Sequence, residues 1–109
     1  MSTVRRAATV TILSGQTVSN RVDLGELAVV GMQLPSALTG VTITFQASHD
    51  DVTYVAVTKV DGTTYTITVA PSKYVIIPPA DLAGARFIKV VSGAAEATDR
   101  DIVLMLRAV

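Results

Sequence analysis

The chain has 109 residues, half of them hydrophobic and only 17% charged, with nine basic residues against nine acidic ones. Its length suits a single domain, here taken as residues 1–109, with a core large enough to fold without disulfides, and it has no cysteine. The charge balance argues against binding nucleic acid, which draws on a basic excess. No apolar run approaches the ~20 residues of a membrane-spanning helix, so no membrane partner is expected.

Arg5 and Arg6 stand near the N-terminus, but Thr9, Thr11 and Ser14 interrupt what would be the apolar segment of a signal peptide. The chain is therefore expected to be made and used inside a cell, or released on lysis. Residues 1–7 read as a flexible N-terminal arm able to reach a neighbouring subunit. Period-two alternation then sets in. Thr9-Val10-Thr11-Ile12 and Thr17–Val22 read as strands split by the turn Ser14-Gly15-Gln16. Leu27–Met32 is apolar at successive positions. Val41–Ser48 alternates again, with Val41, Ile43, Phe45 and Ala47 expected inward. Valine and threonine suit pleated surfaces better than helices.

The turn Ser48-His49-Asp50-Asp51 separates this strand from Tyr54–Val60. Asp61-Gly62 then suggests a two-residue hairpin turn with both central residues at positive φ. Thr63–Val69 follows, with Tyr65, Ile67 and Val69 inward. Ala70-Pro71-Ser72 breaks the chain before Tyr74–Ile77, which Pro78 and Pro79 close. Ala80–Gly84 predicts one helical turn stopped by Gly84. Phe87–Val91 and Ile102–Leu106 are further strands, and the polar stretch Gly93–Asp101 is the longest loop. The expected fold is all-β: a two-sheet β-sandwich with jelly-roll-like or Greek-key connections and about eight short antiparallel strands. A small closed barrel is the alternative.

Chemistry is sparse. His49 is the single histidine, and no nucleophile with a base in reach can be read from the sequence. His49-Asp50-Asp51 and Asp99-Arg100-Asp101 supply too few ligands for calcium and read as solvated turns. Phe45, Tyr65, Tyr74 and Phe87 read as core, with Tyr54 less secure, so a glycan-binding aromatic platform is not expected. No catalytic, cofactor or metal residue is assigned, and the chain is not expected to be an enzyme.

Four strands carry apolar residues on both faces: Leu27–Met32, Tyr74–Ile77, Phe87–Val91 and Ile102–Leu106. Such residues, in a chain of low charge, point to an oligomer or docking interface. Val29, Val30, Met32, Leu34 and Met105 are the candidates for that contact. A stable interface would bury ~800 Å² on each partner.

Three stretches carry a resemblance: Val29-Val30-Gly31-Met32-Gln33-Leu34-Pro35, then Ile43–Asp50, then Ile77–Val90. They resemble a family of small proteins encoded by tailed bacteriophages and prophages, over about Thr9 to Ser92. The run Pro79–Val90, followed by Ser92-Gly93, is the most distinctive. Where many members carry Asp-Gly this chain has Asp50-Asp51, a departure in turn geometry. The resemblance implies a structural protein of the phage particle, made in the bacterial host cytoplasm. More specifically it implies a capsid decoration or cement protein on the head surface. Such a protein would form a homo-oligomer, commonly a trimer, and would bind the major capsid protein. The alternative is a tail, fibre or baseplate module that is structural or recognises glycan.

Overall fold

Alternating, β-branched segments become nine strands in the computed structural model, which describes residues 5–108. In chain order these are β1 (Arg5–Ile12), β2 (Val22–Asp23), β3 (Leu27–Gln33), β4 (Thr42–Ser48), β5 (Val55–Ala56), β6 (Thr66–Thr68) and β7 (Tyr74–Ile76). The short helix α1 (Pro79–Leu82) precedes β8 (Phe87–Ser92) and β9 (Arg100–Ala108). The fold is all-β, in two antiparallel sheets. The first has the order β1-β9-β3-β7; the second has β2-β8-β4-β5, with β6 pairing the other end of β4. The chain passes between sheets at most connections, so neighbours within a sheet are distant in sequence.

The expected arm over residues 1–7 is corrected. Arg5, Arg6 and Ala7 belong to β1 and pair with Arg107, Leu106 and Met105. Residues 1–4 lie outside the described residues.

One core cluster draws on both sheets. Val10 and Ile12 of β1, Met32 of β3 and Ile102, Leu104 and Leu106 of β9 join Ile43 and Phe45 of β4 and Ile88 and Val90 of β8. Alternation explains the selection: along β9 the buried Ile102, Leu104 and Leu106 alternate with half-buried Val103 and Met105 and exposed Arg107. Full burial of each such side chain contributes about 1.5–3 kcal/mol before entropy is counted. Connecting segments add Leu24, Leu34, Leu38 and Ile77, and α1 adds Leu82. Val41, expected inward, precedes β4 and is exposed.

Two turns differ from expectation. Between β5 and β6 the chain forms a protruding hairpin in which Lys59 N donates to Thr63 O and Gly62 N donates to Lys59 O. Only Gly62 has positive φ there (88°), so the closure is a type I turn ending on a left-handed glycine. The Asp61 carboxylate accepts from Thr63 N and Oγ1 instead. Helix α1 ends at Ala83 in the right-handed region, and Gly84 is not left-handed.

The loop before β9 is organised by a buried carboxylate. Glu96 accepts from Thr39 N (2.8 Å) and Arg100 Nε (3.1 Å) on one oxygen, and from Gly40 N (3.0 Å) and Ser92 Oγ (2.8 Å) on the other. Its backbone also exchanges hydrogen bonds with Gly15 and Gln16. Three connections are thereby tied together. The solvated reading of Asp99-Arg100-Asp101 is corrected at Arg100, which is largely buried against Glu96; Asp99 and Asp101 are exposed, Asp99 accepting from Ser14 N and Asp101 from Thr11 Oγ1. Burial pushes the Glu96 carboxyl up, but the bonds from Thr39, Ser92, Gly40 and Arg100 outweigh it and hold the group below its ordinary value.

Two stability predictions follow from this knot. Glu96→Gln places an NH₂ among donors and leaves Arg100 unpaired, so it should cost about 2–4 kcal/mol in urea unfolding. Because the folded carboxyl is depressed, wild-type stability should be complete above the ordinary carboxylate range and fall as pH drops through it. The variant should lose part of that acid dependence; an unchanged slope would refute the role. Gly40→Ala would place a Cβ 2.1 Å from Ser92 Oγ, and should cost about 1–3 kcal/mol in the same assay.

Candidate assembly surface

The outward rows of the first sheet can be read from its register. Leu104 pairs with Ala8 on one side and Met32 on the other, and Met32 pairs with Val75. That row points to the core. The flanking rows point away from it. One is Ala7–Met105–Gly31–Ile76; the other is Thr9–Val103–Gln33–Tyr74. Ile76 is 74% exposed and Tyr74 is 52% exposed, while Val103 and Met105 are half-buried. The outer face of this sheet is therefore mostly apolar at its centre. Asp101 and Arg107 stand at opposite ends of β9 on the same face.

Tyr74 is positioned by a glycine. A Cβ on Gly31 would meet the Tyr74 ring at 3.0 Å, so the bare backbone lets the ring lie flat across β3. A β-bulge lies here, with the register shifting between Val29 and Gly31. Val30 and Gly31 together oppose Met105, and Val30 is half-buried.

The five sequence candidates divide. Val29, Met32 and Leu34 are buried in the chain's own core, so their assignment to a partner surface is corrected. β3 is a central strand between β9 and β7, and its inward residues need no second molecule. Val30 and Met105 stay on or near the outer face. Sequence reasoning missed Val103, Tyr74 and Ile76. The signal for Val103 was its spacing of two from Met105. Tyr74, expected in the core, takes the outward phase because Val75 between it and Ile76 packs inward.

The other sheet presents a different outer face. Thr42 pairs with Thr68 and Thr44 with Thr66, giving a threonine-lined surface. At its far end, Phe87 also points outward, which corrects its core reading. Arg86 lies 5.0 Å and Arg21 5.7 Å from the Phe87 ring centre, and Lys89 lies 4.3 Å from that of Tyr54. Both aromatic rings thus already carry cations. Asp51 pairs with Arg21 at 2.8 Å and accepts from Tyr54 Oη. Burial and that carboxylate push the Tyr54 hydroxyl up to about 12.

The turn leading into Tyr54 consumes its own acidic groups. Asp50 accepts from Val52 N, Thr53 N and Ser48 Oγ, bonds that hold its carboxyl down at about 2. Asp51 has φ of 62°, the left-handed conformation that glycine favours. His49 is exposed, and among the described residues no cluster of histidine and carboxylates could hold a metal ion.

No protein-family model matches the chain, and no curated protein matches it. The crystal structure of the SPBc2 prophage-derived protein YomS aligns over 95% of this chain and 95% of its own, with a TM-score of 0.57 and 14% identity. At that identity the likeness is one of fold. A structure of Bacillus endospore appendages, described as a novel family of disulfide-linked pili, aligns over 98% of this chain and 88% of its own. Its TM-score of 0.48 and 16% identity are too low to carry an inference.

Proposed function

We propose that the protein is a structural component of a phage particle that works by assembly, and specifically that it decorates the head shell. The observation that carries this reading is the outer face of the first sheet, where exposed Tyr74 and Ile76 and half-buried Val103 and Met105 are grouped with no covering element among the described residues. Two further features support it: the phage-family resemblance in Pro79–Val90, and a fold shared with a prophage-derived protein. The passage of the chain from sheet to sheet also supports a jelly-roll-like sandwich.

The mechanism is thermodynamic and requires no reacting residue. A protein that binds the assembled shell more tightly than free capsid subunits stabilises the shell by linkage. Each contact is modest, and repetition over the lattice multiplies its effect. The partners in this reading are further copies of the chain and the major capsid protein, and the location is the head surface.

Heads and tails of the phage that encodes the chain can be separated and assayed by quantitative mass spectrometry. The protein should fractionate with heads at a fixed copy ratio to the major capsid protein. Recovery with tails would overturn decoration, and absence from both would overturn a structural role altogether. Met105→Lys should keep the unfolding free energy within about 1 kcal/mol, because its side chain lies outside the core, and should reduce incorporation severalfold. Full incorporation would refute the assignment of this face.

A further inference from the structure

We infer that the outer face of the first sheet pairs with the same face of a second copy, about a two-fold axis that lies across the strands and reverses their direction. The inference deepens the reading of that face as the assembly surface and rests on it. It is carried by how charge and apolar groups are distributed along β9 and β7.

A two-fold contact between identical sheets has two simple arrangements. In one the axis runs along β9, so β9 of each copy lies in parallel register over the other. Asp101 then faces Asp101 and Arg107 faces Arg107. Strand order is also reversed, which carries β7 with its exposed Tyr74 and Ile76 beyond the overlap. In the other the axis crosses the strands above the inward row that contains Leu104 and Val75. Each strand then lies antiparallel over its own copy. Asp101 faces Arg107 at both ends of the contact. Between them, Met105 faces Val103, and on β7 Ile76 faces Tyr74.

One axis therefore satisfies three independent features. The charges at the two ends of β9 become complementary, the half-buried pair on β9 is covered, and the exposed pair on β7 is covered. The coincidence arises because β7 is centred on the same row as β9: Val75 pairs with Met32, which pairs with Leu104. Small or flat groups next to the contact, Ala7 and Gly31 under the Tyr74 ring, permit the close approach that face-packed sheets require, ~10 Å between mean planes.

The size of the contact sets its strength. Four strands ~4.8 Å apart and about five rows make a face of roughly 20 by 17 Å. This falls short of the ~800 Å² per partner of a stable complex, so the pair belongs to the concentration-dependent class. It is distinct from the trimer implied by the family resemblance, and it leaves the threonine-lined sheet for other contacts.

The experiment is sedimentation equilibrium of the purified full chain from about 10 μM to about 1 mM, with unfolding curves to show that each variant is folded. Wild type should pass from monomer to dimer mass over this range. Asp101→Lys and Arg107→Asp should each weaken association about tenfold or more, and the double variant should recover most of the loss. A wild type that stays monomeric, single swaps without effect, or a double variant without recovery would each overturn the pairing. Should Asp101→Lys fail to fold, because it loses the bond from Thr11, the exposed Ile76→Lys reads the same geometry. It should abolish the dimer, and unchanged association would overturn the pairing because only the antiparallel arrangement covers β7. A monomeric wild type whose Met105→Lys variant is lost from particles would sink the pairing alone. Intact pairing with no presence in particles would sink the phage function alone.

Discussion

Strand β9 is apolar on both faces from Ile102 to Leu106, so burial by itself discriminates poorly between two registers one residue apart. A slip would turn Val103 and Met105 inward and push Ile102, Leu104 and Leu106 out. The strand is also the one that β1 and β3 both pair with, so a slip would propagate across the first sheet. What holds its phase is the bond between the buried Glu96 carboxylate and Arg100, the first residue of β9. Thr11 Oγ1 on Asp101 and Ser14 N on Asp99 reinforce the same start point. A charged knot in a loop thus decides which greasy side chains become core and which become surface. Removing one member of such a buried pair is costly, whereas the pair itself adds little net stability, which suits a role in specifying register.

Much of the fold was legible because its strands alternate. Thr9–Ile12, Val41–Ser48 and Thr64–Val69 each show period two, and each contributes to β1, β4 or β6. Turn positions were legible where proline or glycine breaks the chain, but the turn type at Asp61-Gly62 and the helix end at Ala83 were not. The errors cluster where one physical signal stands for two states. Val29 and Met32 looked surplus because β3 is apolar at successive positions, yet the bulge at Val30 and the flanking strands make most of it interior. Tyr74 and Phe87 looked like core because aromatic residues usually are, and the phase of short strands decided otherwise.

The knot around Glu96 was not legible. Nothing local marks a glutamate in Gly93–Asp101 as buried, since its four partners come from Thr39, Gly40, Ser92 and Arg100. The glycines at positions 40 and 93 mark close approach, and the cause becomes visible only with Ser92 beside the first and Thr42 beside the second. Long-range polar networks have no periodicity, so a single sequence cannot display them. The candidate surface was half legible for a similar reason. Met105 stood out, but its companions on β7 lie far away in sequence and reach it only across the intervening strand β3.

The low charge and high apolar content point to an interface of ordinary stable size, ~800 Å² on each partner. The structure narrows that claim. Most of the apparent excess fills the space between two sheets, and what remains is divided among the outer face of the first sheet at Tyr74 and Ile76, the hairpin tip at Val60, and the scattered Leu13, Val41, Val52 and Val55. A face of that size supports only a weak contact per copy. A protein that relied on one such contact would be free in dilute solution most of the time. The same contact repeated on a lattice, where neighbouring copies are held at high effective concentration, becomes strong without any new side chain. Small apolar area and a structural role are therefore compatible only if the chain works in many copies.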